Sequence, residues 1–235
     1  PRGQGGGLMS ALMEQVVPGL GTIRLRPLDP ERDAAVLHDW LRRDYAAFWG
    51  MHRLTLEQVR DKFRAIVAEG RIEALVGELA GSGRLLFLME AYRPQDDDLA
   101  RFYLAQAGDR GFHLIVAPAD GPAVPGLSFH IMRLMCRWIF RETAVQRIVA
   151  EPDLRNDRML ERCLQTGFRL DRVMHLPHKT AQLVTLERTD FERIDARGEM
   201  PPPKAALPAG RARKVKLHLL AGRIGRKLGI YERNW

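Results

Sequence analysis

Cysteine is scarce in this sequence, which has two, Cys136 and Cys163, among 235 residues. Both fall on apolar faces of predicted helices, and two such residues build neither a disulfide framework nor a cysteine metal site. Runs of about 18 or more apolar residues are also missing, so we expect no membrane-spanning helix. No internal repeat is present. These absences exclude disulfide-stapled, membrane-spanning and repeat proteins, and a reducing cytoplasm is the simplest setting.

Acidic residues are nearly missing from the end of the chain. Between residues 201 and 235, nine Lys or Arg residues stand against one Glu, which accounts for the whole formal charge of +8. The first 200 residues carry 28 basic and 28 acidic side chains. Because this larger part has no net charge, it lacks the basic footprint typical of nucleic-acid binding, and we expect no nucleic-acid partner.

The chain does contain enough apolar residues for a sizeable core, 46% by composition. Its length fits one domain with an appendage. We assign residues 1–20 to an N-terminal segment, in which Pro1–Leu8 reads as a cloning remnant, and residues 21–190 to the domain. Residues 191–235 form a linker and a basic tail, with the linker marked by Met200–Pro203 and Pro208.

The tail has apolar residues at helical spacing over Arg211–Leu228, which predicts a basic amphipathic helix. Gly222 and Gly225 each weaken such a helix by about 1 kcal/mol. We expect the helix to dock back on the domain. A disordered tail, and contact with a partner or an anionic membrane, are the alternatives.

Apolar and alternating segments predict strands separated by helices. The strands are placed at residues 22–28, 72–79, 85–92, 111–116, 147–151, 168–174 and 181–186. Asp29 with Pro30, and Thr55 with Gln58, are typical of helix starts. A third helix is predicted over residues 127–141, and a short fourth helix ends at Thr166. The buried stripe of the first helix is predicted to be Ala35, Val36, Trp40 and Leu41. The fold class is α/β, a mixed sheet of six or seven strands with about four helices.

The most informative stretch runs from Gly111 to Phe168. It holds an apolar strand, a loop with Gly121 and Gly126, a long amphipathic helix, a second strand and a short helix. A glycine loop that leads into a helix exposes backbone N–H groups, and the helix dipole favours a phosphate there. The pattern fits a phosphate-bearing cofactor, and equally an ordinary α/β unit without one.

Several short motifs follow one another in this sequence. They are Asp39-Trp40-Leu41 with Tyr45 and Phe48–Met51, then Arg110–Val116 (Arg-Gly-Phe-His-Leu-Ile-Val), Glu151–Asn156 (Glu-Pro-Asp-Leu-Arg-Asn), Gly167-Phe168 and Leu176–Ala181 (Leu-Pro-His-Lys-Thr-Ala). Together they resemble the GNAT acyl-coenzyme A N-acyltransferases. Within that superfamily they resemble the branch that acylates hydroxylamines in hydroxamate siderophore synthesis, as in the aerobactin, alcaligin and mycobactin pathways. The resemblance covers Ile23–Leu186.

This resemblance implies a single GNAT domain with a basic C-terminal tail, acyl-coenzyme A as co-substrate and no metal. The implied reaction moves an acyl group, of the acetyl- or succinyl-coenzyme A class, to the hydroxylamine nitrogen of an N-hydroxylated diamine or of N6-hydroxylysine. The product is a hydroxamate that chelates ferric iron. Another amine acceptor, such as a polyamine or an aminoglycoside, and a non-catalytic coenzyme A-binding scaffold are the alternatives. Contact with other enzymes of siderophore synthesis is left open.

Two residues are predicted to be catalytic, His113 and Asp153. A histidine in an apolar strand is often a core residue, but the resemblance implies that His113 is a general base. An unperturbed imidazole has a pKa near 6.5, which suits accepting a proton from the attacking nitrogen near neutral pH. The resemblance also implies an acid at the next strand end, where Asp153 would orient the imidazole or bind the amine. Glu151 competes for this role, and Asp153 with Asn156 would otherwise shape a turn and cap a helix.

The donor side of the site is predicted from backbone groups. In GNAT enzymes, free strand N–H groups contact the thioester, which maps to Leu114, Ile115 and Val116. The diphosphate is assigned to Gly126, Leu127 and Ser128 at a helix start, and Asn156 is also assigned to cofactor binding. The loop departs from the family because it lacks the usual basic residue, and because Pro122 and Pro125 remove two N–H donors.

The acceptor side is predicted from Trp49, Met51, Tyr103 and Lys179. The segment with Trp40, Phe48, Trp49 and Met51 has too many large apolar residues for an exposed loop; it either fills the core or walls the acceptor pocket. Lys179 is placed to meet a carboxylate of the acceptor or of a dicarboxylic acyl group, and a surface lysine is the alternative.

Overall fold

The computed structural model of the chain describes residues 11–119, 124–198 and 207–230. Three segments discussed above, Pro1–Leu8, Gly121 with Pro122, and Met200–Pro203, lie outside the described residues. Contacts divide the chain into two compact units: Pro1–Glu90 with Leu114–Pro125, and Ala91–His113 with Gly126–Trp235. The division falls within two strands, so each strand supplies residues to both units.

The first unit contains the N-terminal strands and two helices. Its elements are β1 (Met13–Val17), β2 (Gly21–Pro27), α1 (Pro30–Leu41), a 3₁₀ helix (Asp44–Trp49), α2 (Leu56–Glu69), β3 (Ile72–Leu79), most of β4 (Leu85–Tyr92) and the end of β5 (Asp109–Val116). β1 pairs antiparallel with β2, and β2 with β3. Sequence had assigned β1 to an N-terminal segment, so the first strand of the sheet was missed.

Both helix starts of this unit are confirmed. The Asp29 side chain accepts hydrogen bonds from the N–H groups of Glu31 and Arg32, with Pro30 in the first turn of α1. Thr55 and Gln58 form a capping box at the start of α2, each side chain bonded to the other residue's backbone N–H. These bonds satisfy N–H groups that would otherwise lack partners at a helix end.

An apolar cluster lies between the helices and strands of the first unit. The predicted stripe of α1 is half wrong: Trp40 and Leu41 are buried, but Ala35 and Val36 are exposed. The buried positions are shifted by one residue to Ala34 and Leu37 because Asp33 also faces inward, where Arg26 pairs with its carboxylate at 2.8 Å. The main cluster members are Leu37, Trp40, Leu41, Val59, Phe63, Val76, Leu88 and Ile115.

The second unit contains the remaining strands and four helices. Its elements are the end of β4, the 3₁₀ helices Pro94–Asp96 and Asp98–Arg101, the start of β5, α3 (Leu127–Phe140), β6 (Arg147–Ala150), α4 (Asp157–Thr166), β7 (Arg169–His175), β8 (Thr180–Glu187), α5 (Arg188–Arg197) and α6 (Arg211–Lys227). Cys136 on α3 and Cys163 on α4 are buried free thiols.

The described strands form an eight-stranded mixed sheet in the order β1-β2-β3-β4-β5-β6-β8-β7. β5 and β6 are parallel, whereas β8 runs antiparallel to both β6 and β7. The predicted α/β class and mixed sheet are confirmed, with one more strand than the upper estimate. The described β5–β6 register covers Asp109–Gly111, although β5 continues to Val116.

Helix α5 lies partly in residues that sequence assigned to the linker. It begins directly after β8, and its Phe191 ring stacks on Phe140 of α3 with centroids 5.3 Å apart. Asp195 accepts hydrogen bonds from Arg133 and Arg137 of α3. The predicted domain boundary at residue 190 therefore falls inside a packed helix.

Helix α6 docks on the second unit, as expected. The Arg211 guanidinium binds Asp157 and the Leu154 carbonyl, and the Arg226 guanidinium binds the carbonyl of Leu176. Gly222 faces β8 so closely that an added Cβ would lie 2.3 Å from Oγ1 of Thr180. The glycines that weaken this helix in isolation thus allow its close approach. Among the described residues, no helix is both long and apolar enough to cross a membrane.

Candidate active site

The register of the parallel strands brings His113 and Glu151 together. Gly111 of β5 lies opposite Val149 of β6, and His113 and Glu151 each follow two residues later. Nε2 of His113 lies 3.6 Å from Oε1 of Glu151. The His113 side chain remains 40% exposed whereas that of Glu151 is 8% exposed, so an imidazole open to solvent rests on a buried carboxylate.

Two further side chains surround the Glu151 carboxylate. The Tyr92 hydroxyl donates to Oε2 at 3.2 Å, and Nζ of Lys179 donates to Oε1 at 3.2 Å. Lys179 reaches this position because β8 is the antiparallel neighbour of β6, and Lys179 directly precedes β8. The site is therefore built by the ends of β4 and β6, the start of β8, and the middle of β5.

The surroundings of Glu151 keep it ionised. Burial alone would raise the pKa of this carboxyl, but the interactions with His113 and with the Lys179 ammonium outweigh it and hold the pKa well below its ordinary value. The pKa of Tyr92 is raised well above its ordinary value by burial and by the Glu151 charge, so its hydroxyl stays protonated as a donor. The result is a buried anion beside an accessible imidazole.

Gly111 makes the Tyr92 contact sterically allowed. An added Cβ at Gly111 would lie 2.3 Å from Cζ of the Tyr92 ring, a distance at which atoms overlap. The ring therefore occupies the space where other residues carry a side chain, and its centroid lies 5.0 Å from that of His113. A strand glycine often marks such a close approach.

The Asp153 carboxylate, predicted to orient the imidazole or bind the amine, is bound to Arg155. Its carboxylate oxygens accept hydrogen bonds from Nε and Nη2 of Arg155, each at 2.8 Å, and from the Arg155 backbone N–H. Its carbonyl accepts from the N–H of Asn156. Asp153 shapes the turn after β6, and the carboxylate beside His113 belongs to Glu151, the competing candidate.

The predicted donor-side residues lie in three places. Gly126 precedes α3 with φ of 72°, a left-handed conformation that suits glycine. Its carbonyl accepts from Phe129 and His130, whereas Leu127 and Ser128 lie in the first turn, where helical N–H groups have no intrahelical acceptor. Asn156 caps α4 by accepting from the Met159 N–H. Leu114, Ile115 and Val116 are the last three residues of β5.

The predicted acceptor-side residues divide between the two units. Met51 is buried in the core cluster of the first unit and Trp49 packs against it, whereas Phe48 of the same segment is exposed. Tyr103 is buried in the second unit, and its hydroxyl donates to Asp109 at 3.0 Å. Lys179 contacts the Glu151 carboxylate rather than the open surface.

Sequence reasoning missed Tyr92 and underrated Glu151. Tyr92 ends an apolar strand and belongs to no recognised motif. The sequence signal that indicates it is Gly111 on the neighbouring strand, because a strand glycine often marks the close approach of another group. Among the described residues, no group of three or more His, Cys, Asp or Glu side chains is arranged to hold a metal ion.

A family model described as an acetyltransferase (GNAT) domain matches residues 29–176. The chain belongs to this family. The match spans well over half of the sequence and includes both His113 and Glu151. The expected GNAT domain is therefore confirmed at the level of the family.

Three curated proteins resemble the GNAT chain at low identity. It is 27% identical over 103 residues to N(6)-hydroxylysine O-acetyltransferase of Escherichia coli, covering 44% of this chain and 33% of that protein. It is 28% identical to N(5)-hydroxyornithine:cis-anhydromevalonyl coenzyme A-N(5)-transacylase SIDF of Beauveria bassiana, covering 68% and 34%. It is 23% identical to Lysine N-acyltransferase MbtK of a Mycobacterium species (strain MCS), covering 70% and 67%. The matches to the first two span about one third of those proteins.

Solved structures share the GNAT fold. Aminoglycoside acetyltransferase AAC(6')-Ib in complex with coenzyme A superposes with a TM-score of 0.65 at 23% identity, covering 74% of this chain and 99% of that one. Spermidine N-acetyltransferase from Vibrio cholerae, in complex with coenzyme A and spermine, superposes with a TM-score of 0.58 at 13% identity, covering 72% and 98%. At these identities the likeness shows the fold alone.

Proposed function

We propose that this protein transfers an acyl group from acyl-coenzyme A to the nitrogen of an N-hydroxylated amine, forming a hydroxamate in siderophore synthesis. The observation that carries the proposal is the contact between the exposed imidazole of His113 and the buried carboxylate of Glu151. It supplies a proton acceptor supported by a fixed negative charge, which is what the attack of an amine-type nitrogen on a thioester needs.

In the proposed reaction the acceptor nitrogen attacks the thioester carbonyl, and the C–S bond breaks after a tetrahedral intermediate forms. His113 takes the proton that the nitrogen loses, and ionised Glu151 stabilises the resulting imidazolium. A hydroxylamine is less basic than an alkylamine and is neutral near pH 7, so positioning matters more than deprotonation before attack. Lys179 and Tyr92 hold the Glu151 carboxylate in place by donating to Oε1 and Oε2 respectively.

The proposed donor contacts come from backbone groups. We assign the N–H groups of Leu114, Ile115 and Val116 to the thioester oxygen, where a single well-placed donor lowers the barrier by about 3 kcal/mol. The N–H groups of Gly126, Leu127 and Ser128 are assigned to the diphosphate, since a helix N-terminus favours an anion. The proposed diphosphate site therefore uses backbone N–H donors alone, whereas GNAT loops usually add a basic side chain.

The hydroxylamine acceptor is supported by the names of the relatives. Two are named for a hydroxylysine or hydroxyornithine substrate, and the third for lysine acylation. The same motifs in this sequence, Glu151–Asn156 and Leu176–Ala181, carried the resemblance to the siderophore branch. The competing function is acyl transfer from acyl-coenzyme A to a plain polyamine or an aminoglycoside.

A cytoplasmic location is part of the proposal. It rests on the free, fully buried thiols of Cys136 and Cys163, which suit a reducing compartment, and on the use of acyl-coenzyme A. Small-molecule acceptors and acyl-coenzyme A are the proposed binding partners.

The proposal is tested by measuring coenzyme A release against a matrix of acetyl- and succinyl-coenzyme A with hydroxylysine, an N-hydroxy diamine and their parent amines. The hydroxamate product is followed by its ferric complex. His113→Ala should lower turnover by about 100-fold or more, as expected for a general base, with little change in thermal stability because the ring is partly exposed.

Two results would reject the proposal. Absence of release with every pair, together with calorimetric binding of acyl-coenzyme A, would indicate the non-catalytic scaffold. Unchanged turnover in His113→Ala would remove the histidine from the mechanism. Asp171→Ala, an exposed side chain on β7, serves as the matched control for purification and folding.

A further inference from the structure

Helix α6 docks in an orientation that leaves a stripe of four large apolar residues facing out. Leu217, Leu220, Ile224 and Leu228 are between 49% and 62% exposed. Their spacing of three, four and four residues places them in one stripe along the helix. A helix that packs on a domain ordinarily turns such a stripe inward, so the exposed stripe indicates an additional contact.

The face of α6 opposite the stripe carries two glycines and polar residues, with Val215 and Leu219 half-buried beside them. Gly222 and Gly225 are its buried residues, and Gly222 lies about 200° around the helix from both Leu220 and Ile224. An added Cβ at Gly222 would lie 2.8 Å from Nδ1 of His175 and closer still to Thr180. Turning the exposed stripe inward is therefore blocked by the close approach of the helix to β7 and β8.

Basic side chains border the exposed stripe. Between Arg211 and Lys227 the helix has seven Lys or Arg residues and neither Asp nor Glu. Arg211 and Arg226 bind protein groups on the inward side. The other five are exposed: Arg213, Lys214, Lys216, Arg223 and Lys227.

We propose that α6 is an anionic-membrane docking surface, which lays the stripe of Leu217, Leu220, Ile224 and Leu228 into the headgroup region of a lipid surface. Charge complementarity decides the occupant: an apolar stripe with cations beside it matches acyl chains beneath anionic headgroups. A second copy of this chain would bring two groups of exposed cations together across the contact. The proposed contact is peripheral and independent of the acyl-transfer site.

The test is sedimentation of the full chain with vesicles. Binding to vesicles of equal parts phosphatidylcholine and phosphatidylglycerol should exceed binding to pure phosphatidylcholine by at least about tenfold, and added salt should weaken it. Leu220→Ser with Ile224→Ser should reduce binding by about tenfold or more. Lys216→Gln with Lys227→Gln should reduce binding to the anionic vesicles and leave the weak binding to neutral ones unchanged.

Matched variants separate docking from general effects. Leu104→Ser removes a leucine that is 84% exposed outside α6, and Lys62→Gln removes an exposed cation of α2; both should bind as the parent does. The inference is overturned by equal binding to both vesicle types or by no binding to either. It is also overturned if the double serine variant binds vesicles normally, or if the parent forms a dimer that this variant loses, which would assign the stripe to a second copy.

Discussion

The imidazole of His113 meets the carboxylate of Glu151 with Nε2 3.6 Å from Oε1. This is an ion-pair separation, slightly longer than a hydrogen bond, and catalytic contacts of this kind commonly tighten when substrate binds. Since the Glu151 pKa is held well below its ordinary value, the carboxylate is charged throughout the neutral range. It can therefore stabilise the imidazolium that forms when His113 accepts a proton.

The choice between Glu151 and Asp153 as the acid partner is tested by two isosteric changes. We expect Glu151→Gln to lower kcat by about 100-fold, because the charge that supports the imidazolium is lost. Asp153→Asn should lower kcat by much less, since its carboxylate binds Arg155 in a turn. Steady-state kinetics at a saturating acyl donor give both values, and a larger loss in Asp153→Asn would restore Asp153 as the catalytic acid.

A stability measurement must accompany those kinetics. Glu151→Gln weakens the charge-assisted hydrogen bonds from Tyr92 and Lys179, which should cost roughly 1–3 kcal/mol of unfolding free energy. Glu192→Gln, at an exposed position on α5, is the matched control and should change neither stability nor turnover. Denaturant unfolding at the assay temperature shows whether enough Glu151→Gln protein remains folded to interpret its rate.

The pKa of Glu151 also predicts how stability depends on pH. Its folded pKa lies below the ordinary value of 4.5, so the native state stabilises the ionised form. That contribution is fully present above about pH 4.5 and is lost progressively as pH falls towards the folded pKa. The difference in unfolding free energy between the parent and Glu151→Gln should therefore stay constant above about pH 5 and shrink between about pH 5 and about pH 3. A difference that stays constant over this range would show that Glu151 is not ionised against its partners.

Gly111 is predicted to hold the site open for Tyr92. Gly111→Ala places a methyl group 2.3 Å from the Tyr92 ring, so we expect a loss of about 1–3 kcal/mol from overpacking and a fall in kcat as the ring shifts away from Glu151. The same change in a Tyr92→Ala background should cost little, because the clash is gone. A double-mutant cycle from urea unfolding measures this coupling, and additive losses would mean that the two residues do not constrain each other.

Much of the fold follows from local sequence patterns, because its strands and helix ends are set by nearby residues. The caps at Asp29 and Thr55 and the strands β3 and β4 were placed at their observed bounds. Strand β1 was missed since Met13–Val17 is short and its identity depends on pairing with β2. Helix α5 was missed because few of its residues are apolar and its contacts with α3 include ion pairs to Asp195.

The candidate site was less predictable for a similar reason. Glu151 and Asp153 are two residues apart in one motif, and the sequence alone does not show which carboxylate turns towards β5. The register of β5 on β6 decides it, together with Arg155, which binds Asp153 locally. The position of the Tyr92 ring depends on Gly111 in another strand. Gly222 was predicted only to weaken α6, because the surface that it packs against is distant in sequence.

Acceptor choice is the sharpest test of the proposed function. An N-hydroxylated amine should be preferred over its parent amine by at least about tenfold in kcat/KM. A parent alkylamine is protonated near pH 7 and must lose a proton before it can attack, whereas a hydroxylamine is already neutral. A site that binds the N–OH group also leaves polar groups unpaired when that hydroxyl is absent, a loss of roughly 1–3 kcal/mol. The measurement compares lysine with N6-hydroxylysine, and a diamine with its mono-N-hydroxy form, at one fixed acyl donor. Equal efficiency within either pair would place the protein among general amine acyltransferases, where His113 would have to remove a proton before attack and the rate would rise more steeply with pH.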